Sequence, residues 1–309
     1  MTARVVIPRD KNDAILRVDG CSVTVTNLKK QFWPALHITK GDLLQYYADV
    51  ASALVPHLRD RAMVMKRYPN GAGKPFFFMK RVPQPHPDWL ELCTIEHSSG
   101  SVIDFPMVQN IASLLWTVNL GCIDLNQWYS RCDDVDRPDY VHFDLDPGPG
   151  ASFANVRETA LVVRTALEAL GMQAFAKTTG SRGIHVYTPI VRGPVQKQVW
   201  SFAKALSHTL AKTYPKLITA EYRVAARPRG RVLMDYNQNA WGQTLASIYS
   251  VRPHPKAAVS TPVTWREIER GIEIEDFRLD NVPARVKRLG DLWKPMLAAR
   301  GRFRLDKFV

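Results

Sequence analysis

Apolar positions recur along the chain with two different periods. Five segments repeat them at intervals of three and four residues, the period of an amphipathic helix, and most of these segments begin or end at a recognisable cap. Thr39 is the predicted N-cap of the first, since Asp42 stands three residues later. The predicted helices cover residues 41–57, 108–120, 154–170 and 196–212, with a short fifth helix after Thr264-Trp265-Arg266-Glu267.

Shorter apolar segments rich in β-branched and aromatic residues lie between these helices. They predict strands over residues 63–66, 76–79, 140–144, 173–177, 184–187 and 232–236. Because helices and strands interleave throughout, we expect a mixed α+β architecture. The chain has no internal repeat and no long Gly/Ser linker, so residues 1–309 are predicted to form a single catalytic domain. A subdomain seam is plausible near residues 131–139, which are polar and interrupted by Pro138.

Composition favours a polyanionic partner. Lys and Arg number 42 against 29 Asp and Glu, which leaves a formal charge of +13. Such a charge is typical of proteins that bind nucleic acid or an anionic surface.

Two further features indicate a cytoplasmic protein without a membrane partner. No apolar run approaches the ~20 residues of a membrane span, and Met1-Thr2-Ala3-Arg4 lacks an apolar signal core. The four cysteines are scattered without a Cys-x-x-Cys pair, so we expect reduced thiols and neither a zinc site nor a disulfide framework. They are Cys21, Cys93, Cys122 and Cys132.

The strand predicted at residues 140–144 leads into two carboxylates, Asp144 and Asp146, that are two residues apart. Side chains at this spacing point to the same face of a strand. Paired carboxylates at a sheet rim can hold one or two divalent cations such as Mg²⁺ or Mn²⁺, as in two-metal phosphoryl transfer. The same residues are also compatible with a solvated acidic turn before Pro147.

A glycine-bracketed loop follows, with Ser181 and Arg182 between Gly180 and Gly183. A tight turn of this kind can bring backbone amides, a hydroxyl and a guanidinium together on phosphate oxygens. His185, on the strand that leaves the loop, could reach the same phosphates. The alternative for His185 is a buried structural histidine.

A third carboxylate, Asp235, interrupts the apolar run at residues 232–236. A charge there is costly unless it is paired or metal-bound. A metal site shared with the first two carboxylates would explain it, and so would a salt bridge on an edge strand. The candidate partners for that salt bridge are Arg223, Arg227, Arg229 and Arg231.

The N-terminal third interleaves aromatic rings with cations. Phe76-Phe77-Phe78 stand among Lys66, Arg67, Lys74, Lys80 and Arg81. Stacking faces beside phosphate-binding cations suit single-stranded or kinked nucleic acid, although a core strand with a basic rim has the same pattern.

Lys40 lies in the first turn of the first helix, where an anion is favoured. An exposed lysine without a partner is the alternative.

Together these motifs resemble the archaeo-eukaryotic primase superfamily, and most closely the polymerase domain of bacterial DNA ligase D and its free-standing relatives. The resemblance covers nearly the whole chain in order and spacing. It rests on Asn27–Pro34, Lys66–Gly71, Pro75–Phe78, Asp144–Gly148, Ser181–His185 and Asp235-Tyr236.

The resemblance implies a primase-like α+β catalytic core with a flanking N-terminal α/β part. It implies a metal-binding catalytic triad of Asp144, Asp146 and Asp235, and a triphosphate held by Ser181, Arg182 and His185. Lys66, Gln238 and Arg252 would lie near the nucleotide. Lys30 and Lys40 would grip a recessed 5′-phosphate, and Phe77 and Phe78 would pack against the template.

The implied function is DNA-directed nucleotidyl transfer in gap filling or end joining, with Mn²⁺ or Mg²⁺ as cofactor and NTPs or dNTPs as substrates. Gapped or end-containing DNA with a 5′-phosphate is the implied partner, with Ku and a separate DNA ligase as further candidates. A His-Pro-Trp stretch of many members is replaced by Ile123-Asp124-Leu125-Asn126-Gln127-Trp128, so the expected ribonucleotide preference is in question. The rival functions are a non-catalytic DNA-end-binding module and a two-metal nuclease.

Overall fold

The computed structural model describes residues 4–308. Met1–Ala3, which carry part of the expectation about a signal core, and Val309 lie outside the described residues. The chain forms two compact units, and it first crosses from one to the other after Trp128, just before the predicted seam. Unit 1 comprises residues 1–128, 246–260 and 277–291, and unit 2 comprises residues 129–245, 261–276 and 292–309.

Seven α-helices occur in the described residues. They are α1 Lys40–Leu58, α2 Ile111–Asn119, α3 Phe153–Ala169, α4 Gln196–Thr213, α5 Trp265–Arg270, α6 Val282–Leu289 and α7 Lys294–Leu297. The first five match the predicted helices to within three residues. The predicted capping box of α1 is confirmed, because the Asp42 amide donates to Thr39 Oγ1 and Asp42 accepts from the Thr39 amide.

The described strands are short except in the middle of the chain. They are β1 Ala14–Val18, β2 Cys21–Val25, β3 Gln31–Trp33, β4 Ile38–Thr39, β5 Met63–Arg67, β6 Phe77–Met79, β7 Leu92–Glu96, β8 Val102–Pro106, β9 Cys122–Gln127, β10 Tyr140–Pro147, β11 Phe175–Thr178, β12 Ile184–Pro189, β13 Ile218–Thr219, β14 Val232–Asp235, β15 Leu245–Ala246 and β16 Pro262–Val263.

Unit 1 is built on the antiparallel strands β9, β5 and β6, with β5 in the middle. Helix α1 buries a wide apolar face and packs against α2 and α6. Two tyrosine hydroxyls of α1 donate to backbone carbonyls: Tyr46 to Tyr249 and Tyr47 to Ile123. These bonds tie the returning segment 246–260 and strand β9 to the helix.

Unit 2 contains a six-stranded sheet in the order β13-β14-β10-β12-β11-β16. All neighbouring strands are antiparallel except β13 and β14. Strand β10 lies near the middle and buries Phe143 and Leu145 completely. Helix α3 packs on β10 and β12, while α4 packs on β10 and β13. The centre of this sheet therefore positions the residues of β10.

The structure also describes the state of the cysteines and the length of the apolar helices. Cys93 and Cys132 are disulfide-bonded, so the expectation of four reduced thiols is wrong for these two, while Cys21 and Cys122 are free. Spacing could not reveal this, because a cysteine outside a Cys-x-x-Cys pair gives no local signal of a disulfide. Across residues 4–308 we find no helix with the length and apolarity needed to cross a bilayer.

Candidate functional site

Three carboxylates share one face of the unit 2 sheet. Asp144 stands directly opposite Asp235 in the antiparallel pairing of β10 with β14, and Asp146 follows two residues along β10. Directly opposite residues of antiparallel strands have Cβ atoms about 5 Å apart. The acidic-turn alternative is wrong, because β10 continues to Pro147 in register with β14. The edge-strand alternative for Asp235 is also wrong, because β14 lies between β13 and β10.

The electrostatics of this carboxylate face favour a cation. Burial, followed by the neighbouring charge of Asp144, raises the pKa of Asp146 to about 6. Burial also raises the pKa of Asp235, with a smaller contribution from Asp144. Like charges on a poorly hydrated face disfavour ionisation, and a bound divalent cation would relieve both causes.

Each carboxylate also has a partner within unit 2. His185 Nε2 lies 3.0 Å from Asp144 Oδ1, and Arg182 Nε lies 3.6 Å from Asp146 Oδ1. Gln238 Nε2 donates to Asp235 Oδ2 at 3.1 Å. Among residues 4–308 no group of three His, Cys, Asp or Glu side chains is already gathered around one point for a metal ion. The oxygen donors fit Mg²⁺ or Mn²⁺ in type, and small side-chain movements would be needed to gather them.

A row of polar residues crosses the sheet at the level of Asp144. Strand pairing aligns Lys177 with His185 and His185 with Asp144. Lys177 and His185 are both buried, with 1% and 2% of their surface exposed. The alternative of a buried histidine is thus correct for the position of His185, yet its ring contacts a candidate catalytic carboxylate. Lys177 had no predicted role, and its position in an apolar strand was the only available signal.

The loop after β11 is organised by a hydroxyl. Thr179 Oγ1 accepts hydrogen bonds from the backbone amides of Ser181, Arg182 and Gly183 at 3.0–3.2 Å. The expectation that these amides are directed at a phosphate is therefore wrong, because Thr179 engages them. Ser181 and Arg182 are exposed at the tip of the loop, so their hydroxyl and guanidinium groups are available.

Gly183 lies against the carboxylate strand. A Cβ atom at this position would meet Leu145 O at 2.3 Å and Asp146 Oδ1 at 3.1 Å. We expect Gly183→Ala to lower the free energy of unfolding by about 1–3 kcal/mol, because the backbone of β10 or the loop must shift. Urea unfolding measures this change. Gly73→Ala is the control, since a Cβ there meets nothing within 4 Å, and equal effects of both substitutions would contradict the prediction.

A buried carboxylate organises a second cluster, in unit 1. Asp124 on β9 is 1% exposed, and its Oδ2 lies 3.2 Å from Arg252 Nε and 3.8 Å from Lys66 Nζ. Lys66 also lies over three rings, with Phe76 nearest at 4.1 Å from the centroid, followed by Phe78 and Tyr68. Sequence reasoning placed Lys66 and Arg252 near a nucleotide but gave Asp124 no role. An acidic residue in an apolar strand was the missed signal.

The aromatic strand β6 is exposed. Phe77 and Phe78 show 44% and 57% of their surface to solvent, so the core-strand alternative is wrong for both. Phe78 pairs with Lys66 across the strands, and the Arg67 guanidinium lies 5.2 Å from the Phe77 ring centroid. Exposed rings interleaved with cations form a surface suited to nucleic-acid bases and phosphates.

Lys30 and Lys40 lie close together at the start of α1. The Lys40 amide donates to Lys30 O, and Lys40 Nζ donates to Thr26 O at 2.6 Å. The alternative of an exposed Lys40 is wrong, because only 5% of its surface is exposed. Burial, followed by the charge of Lys30, lowers the pKa of Lys40 to about 8.

This pKa predicts a pH dependence of stability. Between pH 8 and 10.5 the unfolded chain keeps a proton on Lys40 that the folded protein has released. Relative to Lys40→Met, the wild-type protein should therefore gain about 2–3 kcal/mol of unfolding free energy as pH rises through this window. Chemical unfolding of both proteins across this range measures the difference. The exposed neighbour Lys29 supplies the control Lys29→Met, and a flat difference for Lys40→Met would contradict the assignment.

Within each unit the structure brings predicted site residues together. Unit 2 assembles six on or beside the carboxylate face: Asp144, Asp146, Asp235, Arg182, His185 and Gln238. Ser181 lies on the adjoining loop. Unit 1 joins Lys66 with Arg252 through Asp124.

Known proteins match this chain over most of its length. The model of the family described as "LigD, primase-polymerase domain" matches residues 39–293. The multifunctional non-homologous end joining protein LigD of Mycolicibacterium smegmatis is 32% identical over 276 residues, which cover 89% of this chain and 36% of that protein. The bifunctional non-homologous end joining protein LigD of Bacillus subtilis is 27% identical over 266 residues, or 86% of this chain and 42% of that protein. The chain thus spans well under half the length of these relatives.

A solved structure matches as well. The polymerase domain from Mycobacterium tuberculosis ligase D, in complex with DNA, superposes with a TM-score of 0.84 at 30% identity. The match covers 90% of this chain and 98% of that domain. It confirms the predicted primase-like α+β class. The chain therefore belongs to the LigD primase-polymerase domain family.

Proposed function

We propose that this chain extends DNA primers at gaps or broken ends, with Asp144, Asp146 and Asp235 as the carboxylates of its reaction centre. The observation that carries the proposal is the shared face of these three side chains beside the loop that bears Ser181 and Arg182. Family membership makes the chain a nucleotidyltransferase that uses nucleotides and depends on metal.

The three carboxylates would hold Mg²⁺ or Mn²⁺ ions. When bound, the cations supply positive charge that activates a primer 3′-hydroxyl and offsets the charge on the departing pyrophosphate. Arg182 forms a 3.6 Å ion pair with Asp146. When a metal cation binds Asp146 instead, the guanidinium of Arg182 would be released to bind a triphosphate beside the carboxylates. His185 and Ser181 would donate hydrogen bonds to the same phosphates.

The other predicted site residues are assigned to the nucleotide, to the 5′-phosphate or to the template bases. We assign nucleotide binding to Lys66 and Arg252, whose charged groups Asp124 would hold in place. Gln238, which donates to Asp235, is assigned to the nucleotide as well. Lys30 and Lys40 would bind the recessed 5′-phosphate, while the exposed rings of Phe77 and Phe78 would stack against template bases. In the cytoplasm, Ku and a separate DNA ligase are the proposed partners of such a repair enzyme.

The experiment is extension of a labelled primer on a 5′-phosphorylated gapped duplex, with Mn²⁺ or Mg²⁺ and with separate dNTP and rNTP pools. We expect templated products that depend on the metal, with rNTPs preferred. Equal use of both pools would refute the ribonucleotide preference alone. DNA binding without products under either metal would favour the end-binding module, and a shortened primer would favour the nuclease.

Triphosphate binding distinguishes a polymerase from a nuclease independently of primer extension. Calorimetry with an NTP and a divalent cation should show saturable binding that is weakened by Arg182→Ala, since a nuclease has no need for a triphosphate cradle.

A further inference from the structure

An aromatic groove lies in unit 2 beside the start of α4. It encloses about 430 Å³, within the range of small-ligand sites. Its walls include the indoles of Trp200 and Trp241 and the side chain of Val195. Trp241 and Val195 are exposed, at 37% and 36% of their surface. This pairing of two indoles at a solvent-open groove is not used by the nucleotidyl-transfer centre described above.

Gln196 contributes to the lining of the groove. It is 5% exposed, and its Nε2 donates to Tyr129 Oη and to Asn239 O. Its Oε1 accepts no hydrogen bond from the described residues and is itself closed to solvent. The surface that the groove offers to a ligand is therefore mainly that of its indole rings, which suit a flat apolar group.

Cations flank the indoles along one side of α4. Lys197, Trp200 and Lys204 stand at positions i, i+3 and i+7, which share one helix face. Lys204 Nζ lies 4.9 Å from the Trp200 ring centroid. Asp136 is the opposing charge, and its Oδ1 accepts from Trp241 Nε1 at 3.0 Å. Phosphates are thus favoured along α4, while the Trp241 end is suited to bases.

The groove is linked to the carboxylate face through one residue. The Asn237 amide donates to Asp235 Oδ1 at 2.8 Å, and Asn237 Oδ1 accepts from Trp200 Nε1 at 3.1 Å. A ligand bound in the groove would therefore lie next to the proposed reaction centre.

We propose that the groove formed by Val195, Gln196, Trp200 and Trp241 stacks the unpaired bases of single-stranded DNA, whose phosphates run along Lys197 and Lys204. Aromatic stacking with adjacent cations is the usual means of holding single strands without sequence preference. Binding requires neither metal nor catalysis, so the test can fail while the polymerase proposal stands.

The first test measures anisotropy of a labelled oligothymidylate without metal or nucleotide. Trp241→Ala should weaken binding roughly 5- to 100-fold, the effect of losing one base–aromatic stack, and Trp241→Phe should retain most of the affinity. Tyr214→Ala is the control, because Tyr214 is an exposed aromatic at the far end of the same helix. Equal affinity of Trp241→Ala and wild type would overturn the proposal.

Two further readouts keep the test independent of folding. Lys204→Gln should reduce the slope of log affinity against log salt by about 0.7, whereas Lys212→Gln, two turns farther along α4, should not. In the wild-type protein, an oligomer carrying 5-iodouracil should photocrosslink to Trp200 or Trp241. Crosslinks confined to other segments would show that the groove holds no bases, and that result also overturns the proposal.

Discussion

Asp144→Asn should lower the rate of primer extension by at least about 10³-fold while the protein remains folded. Asp144 stands opposite Asp235 on one side and opposite His185 on the other. Of the three candidate carboxylates, it alone is paired with another carboxylate on one side and with His185 on the other. Loss of its charge removes several kcal/mol of transition-state stabilisation, and each 1.4 kcal/mol corresponds to a factor of ten.

The matched control is Asp306→Asn. Asp306 is an exposed carboxylate of the same unit that pairs with Arg304, so the substitution makes the same charge change outside strand β10. Single-nucleotide incorporation is measured for both variants, with circular dichroism to verify folding. An Asp144→Asn protein that extends primers at the rate of the control would remove Asp144 from the reaction centre.

Asp124→Asn should have the largest effect in unit 1. The carboxylate is almost fully buried between Lys66 and Arg252. Removal of its charge leaves two partly buried cations facing each other, which should cost about 2–4 kcal/mol of unfolding free energy. Burial lowers the pKa of Lys66, and the charge of Asp124 partly offsets this effect. The pKa of Lys66 should therefore fall further in Asp124→Asn. Nucleotide affinity should fall as well.

Urea unfolding of Asp124→Asn and of Lys66→Met/Asp124→Asn tests this prediction. The double variant should recover part of the lost stability, since one uncompensated cation is gone. Asp88→Asn, on the surface of the same unit, should be neutral. If Asp124→Asn matched that control, Asp124 would not hold the two cations.

The parts of the fold that could be predicted are those with strong local signals. Helix α1 has its capping box in the sequence, and β10 has strict alternation of apolar and polar residues, so both were located to within a few residues. Strand β9 was missed because Asp124, Asn126 and Gln127 make half of its residues polar, although all six are buried. Tertiary packing buries these polar side chains, and composition does not show that.

The site was predictable to the extent that charged residues stand out in apolar strands. Asp144, Asp146 and Asp235 are conspicuous for this reason. The role of Thr179, whose hydroxyl accepts three backbone amides, depends on loop geometry that composition does not encode. The groove of Trp200 and Trp241 likewise joins residues from two separate segments through tertiary packing, and no local pattern connects them.

The most direct test of the carboxylate face as the reaction centre is a crystal structure with Mn²⁺, an incoming triphosphate and a gapped duplex. Anomalous scattering locates Mn²⁺ without reference to any assumed ligand. We expect Mn²⁺ peaks bounded by Asp144, Asp146 and Asp235, with the triphosphate beside Ser181, Arg182 and His185. A bound triphosphate with Mn²⁺ at other residues, or with none at these three, would contradict this expectation.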